Sequence, residues 1–263
     1  MFEPESNRAQ FQNRHAMLTT ALSVNINKVA LLRNSRGRNF PDVRDFATRC
    51  LDYGAKGITL HPRPDQRHAR YSDIADLKAL CVERKVELNV EGYPADEFLN
   101  AVIAARPDQC TLVPDAPGQL TSDHGWAIQE NEALLRQVVR RLHDHGIRVS
   151  LFLDPGSAEL DAVVDVGADR IELYTESYAS AFHTPEKTRV LECFRVTAAE
   201  ATRAGLGVNA GHDLSIENLA EFLTIPAIRE VSIGHALIVE SLHVGLRGVI
   251  ERYQEILRKS ESA

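Results

Sequence analysis

The chain contains no apolar run approaching the roughly 18–20 residues that a membrane-spanning helix needs, so no membrane partner is expected. It has no excess of basic residues either. Thirty Lys and Arg against 37 Asp and Glu leave a net charge of −7 at pH 7, which argues against generic binding to nucleic acid. Any positive cluster is then local and aimed at a small anion. Cysteine is scarce: Cys50, Cys81, Cys110 and Cys193 lie far apart with no Cys-x-x-Cys pair. They read as small core residues in a reducing cytoplasm, not as disulfides or a zinc site. Residues 1–20, MFEPESNRAQFQNRHAMLTT, lack the apolar stretch of a secretory signal. They are expected to form a polar, poorly ordered extension, with Met17 as an alternative start. No Gly/Ser linker divides the remainder, so residues 21–263 read as one domain. No GxGxxG or P-loop motif follows any apolar run, which removes the commonest nucleotide-binding loops.

What is present is a repeated phrase: an amphipathic stretch, a Gly or polar turn, then a short apolar run. It recurs in CLDYGAKGITLH, AARPDQCTLVP, RLHDHGIRVSLFLD, VVDVGADRIELYT and ATRAGLGVNAGH. The Gly suits a helix C-cap, and the apolar run suits a strand buried on both faces. With LSVNIN, VELNVE and EVSIGH added, eight strands are predicted near 22–27, 57–61, 86–91, 109–113, 147–153, 169–174, 206–209 and 230–234. Helical patterns between them fall at 41–53, 73–84, 94–105, 130–145, 157–166 and 186–204, with Pro41 and Pro94 placed in first turns. Eight strands alternating with helices indicate a (β/α)₈ TIM barrel, an α/β fold. An open doubly wound sheet is the alternative.

In such a barrel the chemistry sits at the C-terminal strand ends. The predicted ends carry Asn25, Asn27 and Lys28; His61; Asn89 and Glu91; Glu172, Tyr174 and Thr175; Asn209 and His212; and Gly234-His235. Thr121 lies in the long loop after strand four, where Asp115–Gly125 is a candidate lid. Desolvating so many imidazoles and carboxylates is costly unless they pair or bind something. His61, Glu91 and His212 suit general acid–base work, because burial and charged neighbours bring such groups near working pH. A metal is the rival reading. Barrel metallohydrolases commonly carry two imidazoles on one strand end, but here the matching position reads His61-Pro62-Arg63, and a guanidinium there repels a divalent cation. Arginine favours phosphate. Arg33, Arg36 and Arg38, in a loop predicted after strand one, read either as an anion site or as a solvated charge run. The turns NAGHD and IGHA stand where barrels often bind phosphate on backbone N–H groups. His143 and His145 are most simply cationic groups at a helix end. The residues alone therefore indicate a metal-free barrel enzyme handling small phosphorylated substrates by acid–base chemistry.

The same segments, SVNINKVALLRNSRG, GITLHPRPDQRH, NVEGYP, VSLFLD, IELYTESYA, VNAGHDL and SIGHALI, resemble the successive motifs of the pyridoxine 5′-phosphate synthase family, in order from about Ser23 onward. The resemblance implies a barrel with extra helices, assembled as a homo-oligomer, a homo-octamer in the family. It implies condensation of 3-amino-2-oxopropyl phosphate with 1-deoxy-D-xylulose 5-phosphate to pyridoxine 5′-phosphate, phosphate and water, with no metal or organic cofactor. Position by position, His61 and Glu91 match the family's proton acceptors, His212 its proton donor and Glu172 its transition-state-stabilising carboxylate. Asn25, Arg36, Asp213, Gly234 and His235 fall where the aminoketone phosphate is held. Asn27, Lys28, Arg63, His68 and Thr121 fall where the deoxyxylulose phosphate is held, and Arg67 reads as solvated. Family members commonly have Asp-His at Asn27-Lys28 and Gly at Asp213, so a locally altered binding shell is expected. Two other readings remain: a metal-dependent sugar-phosphate isomerase or aldolase, and a silent sensor of a phosphorylated metabolite.

Overall fold

The computed structural model describes residues 19–115, 119 and 121–261. Its eight parallel strands close a barrel in sequence order. They are β1 Ala21–Asn25, β2 Gly57–Leu60, β3 Glu87–Gly92, β4 Gln109–Leu112, β5 Arg148–Leu153, β6 Arg170–Tyr174, β7 Gly207–Gly211 and β8 Ile228–Ile233. Every predicted strand is present to within two residues at either end. The doubly wound alternative fails because β1 pairs with both β2 and β8, which leaves the sheet no edge. Residues 1–18, Met17 among them, and positions 116–118 and 120 of the candidate lid lie outside the described residues.

The helices are α1 Asn27–Asn34, α2 Val43–Asp52, α3 Tyr71–Arg84, α4 Asp96–Ala105, α5 Glu132–His143, α6 Leu160–Asp165, α7 Glu176–Ala181, α8 Lys187–Arg203, α9 Leu219–Phe222, α10 His235–Val244 and α11 Leu246–Glu261. The repeated phrase works as expected: Gly54, Gly146, Gly167 and Gly205 follow α2, α5, α6 and α8 with φ between +74° and +111°. In the phrase that lacks a Gly at this point, Arg106 takes the left-handed position at φ 51°. Pro41 and Pro94 stand before the caps, not in first turns, because Asp42 and Ala95 are the N-cap residues of α2 and α4. The Asp42 carboxylate accepts the Asp45 N–H at 2.9 Å, which satisfies one free donor of α2.

Both faces of the strands are buried, but the two faces differ in chemistry. Leu22, Val24, Ile58, Leu60, Leu88 and Val90 are fully buried; they alternate with polar residues and face the helices, each burial contributing roughly 1.5–3 kcal/mol. The alternate positions point into the barrel. Thr111 on β4 reaches Glu172 on β6, Arg148 on β5 reaches Glu87 on β3, and Asn209 on β7 reaches Gln109 on β4. Strands that are not neighbours can meet in this way only across the interior. A barrel interior is usually filled by bulky branched residues; this one is lined by Ser, Thr, Asn, Gln, Glu and Arg. Such a lining is costly, about 1–3 kcal/mol for each buried polar group left unmatched. Among the described residues, Asn89 Nδ2, Gln109 Nε2, Ser150 Oγ and Glu230 Oε1 have no hydrogen-bond partner. The interior therefore trades stability for a polar floor beneath the strand ends.

Candidate active site

At the tips of β1, β2 and β3, hydrogen bonds tie three side chains together. Asn25 Oδ1 accepts the Asn27 N–H at 3.0 Å, and Asn25 Nδ2 donates to Glu91 Oε2 at 3.4 Å. Asn27 Oδ1 accepts the His61 N–H at 2.9 Å. An acceptor oxygen is all this backbone donor needs, so the amide at position 27 does what a carboxylate there would do. His61 thus stands between two carboxyls, its Nδ1 3.9 Å from Glu91 Oε2 and its Nε2 3.7 Å from Asp115 Oδ2. It is 5% exposed. Burial, reinforced by Arg63, His68 and Arg67, pushes its proton affinity well below the ordinary imidazole value. His61 is therefore neutral at working pH.

The basic cluster around it is held by carbonyls and one buried carboxylate. Arg63 Nη2 meets Asp115 Oδ2 at 2.5 Å, and its Nη1 donates to the Gln119 carbonyl at 2.8 Å. Ser122 Oγ donates to the same Asp115 oxygen at 3.0 Å. Burial raises the Asp115 carboxyl, and the Arg63 charge only partly offsets it. His68 Nδ1 accepts the Ala69 N–H at 2.9 Å, which requires that nitrogen to be unprotonated. Burial, with Arg63, Arg67 and Lys28, pushes His68 down to about 4. Arg67 is not merely solvated: its Nε pairs with Asp65 at 2.8 Å, and Nη2 donates to the Gln119 carbonyl at 3.0 Å.

Glu91 and Glu172 share the barrel mouth. Glu91 is 12% exposed at its side chain and Glu172 is 2% exposed. Burial, the buried Glu230 and Asp115 push Glu91 up to about 8. Burial and the two glutamates Glu91 and Glu230 push Glu172 well above the usual carboxylate range. Like-charged groups this deep cannot all ionise together. Thr111 Oγ1 donates to Glu172 Oε2 at 3.2 Å. A Cβ on Gly211 would lie 2.3 Å from Glu172 Oε1, so only Gly leaves the carboxyl its place.

At the tip of β7, His212 and Asp213 adopt φ 81° and 58°. His212 Nδ1 donates to Asp213 Oδ2 at 2.8 Å, and its Nε2 lies 3.1 Å from Thr121 Oγ1. Its ring sits edge-on to Tyr174 at 4.9 Å. Beyond β8, a Cβ on Gly234 would stand 3.0 Å from Asn25 Cβ. Gly234 thus lets the N-terminus of α10 abut β1, with His235 as its first residue. Helix N–H groups there suit a phosphate. Lys28 is exposed at the start of α1 and acts electrostatically on both His68 and Asp213.

Arg36 is set apart from this group. It is exposed, on a turn that lines an open cleft of about 630 Å³ with Gly37, Arg38 and Phe40. Arg33 is not in a loop. It lies in α1, 2% exposed, with Nη1 and Nη2 on the two Asp73 oxygens at 2.6 and 2.9 Å. Its Nη2 also donates to the His68 carbonyl at 3.1 Å. NKVALLRN is a helix that buries Val29, Ala30 and its arginine on one face. Among the described residues no three His, Cys, Asp or Glu side chains converge as metal ligands.

The family model described as "Pyridoxal phosphate biosynthesis protein PdxJ" matches residues 22–259. The chain belongs to this family. Curated relatives named pyridoxine 5′-phosphate synthase cover it almost end to end. One from Xanthomonas oryzae pv. oryzae is 48% identical over 93% of this chain and 99% of its own length. One from Bacteroides fragilis is 48% identical over 91% and 100%. Solved structures share the fold at low identity. A 3-keto-L-gulonate-6-phosphate decarboxylase from Vibrio cholerae O1 biovar El Tor superposes with TM-score 0.62 at 11% identity, over 92% of this chain and 98% of that one. A thiamine phosphate pyrophosphorylase from Pyrococcus furiosus gives 0.60 at 15%, over 93% and 97%.

Two carboxyls of this PdxJ family member were passed over in the sequence. In the sequence Asp115 marks only the start of the candidate lid; in the fold it is 6% exposed against Arg63. Glu230 is 4% exposed inside the barrel; its signal was the alternation in REVSI, which puts Glu230 and Ser232 on one face. Three of the four cysteines are buried as expected, while Cys193 is half-buried. His143 pairs with Asp169 at 2.7 Å, and His145 Nδ1 donates to the Arg141 carbonyl at 2.9 Å. Neither faces the strand tips.

Proposed function

We propose that the chain is a ring-closing synthase of the transferase class that joins 3-amino-2-oxopropyl phosphate to 1-deoxy-D-xylulose 5-phosphate, forming pyridoxine 5′-phosphate, phosphate and water. The observation that carries this reading is the convergence of His61, Glu91, Glu172 and His212 at one end of the barrel in a member of the PdxJ family. Imine formation, phosphate loss, water addition, ring closure and aromatisation each move protons at atoms flanking a carbonyl or imine.

In this reading His61, kept neutral by burial and its cationic neighbours, takes protons at the strand-two tip. Glu91, with its affinity near working pH, accepts a proton and returns it. Glu172, held protonated in the barrel, donates a hydrogen bond to oxygen that develops negative charge. His212 supplies the proton to the departing group. Asn25, the Asp213 backbone N–H, Gly234 and His235 hold the aminoketone phosphate, and Arg36 joins them by swinging in from its outer turn when that phosphate is bound. Asn27, Lys28, Arg63, His68 and Thr121 hold the deoxyxylulose phosphate. Two anchored phosphates keep the partners in register and reduce the entropic cost of joining them.

The reaction needs no metal or organic cofactor. The protein works in the cytoplasm as a homo-oligomer, a homo-octamer by family resemblance; α10 lies beside α1, and Leu242 and Phe40, 78% and 79% exposed, offer apolar surface for a second copy. Incubating purified protein with both substrates tests the reading. Fluorescent pyridoxine 5′-phosphate should accumulate, undiminished after dialysis against a chelator. No product from folded protein rejects the synthase, and loss of turnover that zinc or magnesium restores favours the metal-dependent aldolase.

A further inference from the structure

Position 213 carries a carboxylate where the turn itself has no use for one. Its φ of 58° is left-handed, as is the 81° of His212, and Gly adopts that region with less strain than any side chain. The turn is fastened by other groups. Thr175 Oγ1 donates to the carbonyls of Gly211, at 2.8 Å, and His212. Asn218 Nδ2 donates to the Asp213 carbonyl at 3.0 Å, and Tyr178 hydroxyl holds the Asn218 carbonyl at 2.8 Å. None of these bonds uses the Asp213 side chain. A carboxylate also repels phosphate, so the side chain works against any phosphate bound on its own backbone N–H.

Its one close partner among the described residues is the neighbouring imidazole, Nδ1 to Oδ2 at 2.8 Å. The His212 interaction is the leading cause of the depressed proton affinity of Asp213, with His235 from α10 and Lys28 from α1 adding to it. The carboxylate therefore stays ionised. With Nδ1–H committed to it, Nε2 becomes the working nitrogen, aimed at Thr121 Oγ1 and the cavity mouth. Tyr174 closes the remaining side of the ring; the acidic Glu176, Asp123 and Asp154 stand around that phenol.

We propose that Asp213 is a positioning residue for His212: it selects the Nδ1–H tautomer and aims Nε2 at the substrate. The proposal rests on the synthase reading for its catalytic consequence, but the ion pair itself can be measured without substrate. Lys28 belongs to the same adjustment, since a cation here balances the carboxylate that occupies the position after the histidine.

The test compares Asp213→Gly and Asp213→Asn with the unaltered protein. Nitrogen NMR of the imidazoles, with His212→Gln used for assignment, reports the tautomer. The Nδ1–H form is expected in the unaltered protein and in Asp213→Asn, whose amide oxygen still accepts, and the Nε2–H form in Asp213→Gly. Asp213→Gly should keep or raise its thermal midpoint, because strain is removed. Its kcat should fall roughly 3–10-fold, the modest scale of a half-exposed charge pair. Its KM for the aminoketone phosphate should be unchanged or lower. An unaltered tautomer in Asp213→Gly would overturn the proposal, as would a loss confined to a raised KM. If the tautomer responds as expected but the unaltered protein makes no pyridoxine 5′-phosphate, the ion pair stands and the synthase reading is what fails.

Discussion

Replacing Arg33 with Met separates a residue that holds substrate from one that holds the protein together. The guanidinium and the Asp73 side chain are 2% and 10% exposed and meet through two contacts of 2.6 and 2.9 Å. Methionine fills much of the same volume but strands the carboxylate. Breaking a buried pair from one side costs about 3–5 kcal/mol, and at roughly 2–4 °C per kcal/mol for a chain of this size the thermal midpoint should fall by about 6–20 °C. Asp73→Asn keeps an oxygen for the Arg70 N–H it now accepts at 2.8 Å, so the start of α3 is spared. Arg33→Met/Asp73→Asn should then be more stable than the sum of the single losses by about 1–3 kcal/mol, the coupling of a contacting pair. Thermal and urea unfolding of the four proteins supply the cycle. Below the transition, Arg33→Met should retain kcat within a few-fold; its KM for the deoxyxylulose phosphate should rise modestly, because Nη2 also holds the His68 carbonyl. A midpoint drop under about 3 °C, with a KM raised a hundredfold for either phosphate, would show that the guanidinium belongs to the site after all.

Gly211→Ala should fold with a midpoint near that of the parent and lose most of its turnover, on the order of a hundredfold, because the new methyl occupies the place of Glu172 Oε1; rates near those of the parent would show that Glu172 needs no fixed position. The buried carboxyls also set a pH dependence of stability. Glu91 is raised from 4.5 to about 8, so the folded state binds more protons than the unfolded state between those values. Its contribution is fully present below pH 4.5 and lost as pH rises through about 8. Glu91→Gln should flatten the fall in urea midpoint between roughly pH 5 and pH 8.5; an unchanged slope would place the proton elsewhere.

The fold was legible because each helix-Gly-strand phrase carries its own punctuation. Gly146, Gly167 and Gly205 mark helix ends, and the apolar alternate residues of RVSLFL, RIELY and VNAG mark strands facing helices. The inward polar set was visible as single residues at strand ends but not as a lining, since Ser150, Thr111 and Gln109 look unremarkable one at a time. Only closure of the barrel puts Thr111 against Glu172. Arg33 was misplaced for a related reason: a buried arginine and an exposed one are spelled alike, and its partner Asp73 is 40 positions away. Asp115 and Glu230 escaped because a carboxyl acquires its role from what surrounds it. Of the substrate-holding set, Asn27 is clarified by contact with the His61 N–H, whereas Arg36 stays on an outer turn.

The central claim is that the strand-end imidazoles and carboxyls perform the ring closure by proton transfer. Its most direct measurement is the single-turnover rate of pyridoxine 5′-phosphate formation from the two substrates, at about pH 8, by the unaltered protein and by Glu91→Gln and His212→Asn of verified fold. The unaltered protein should form product, and each variant should be slower by about 10²–10⁴-fold, the range for loss of one general acid or base. Comparable rates in all three proteins, or no product from any, would contradict it.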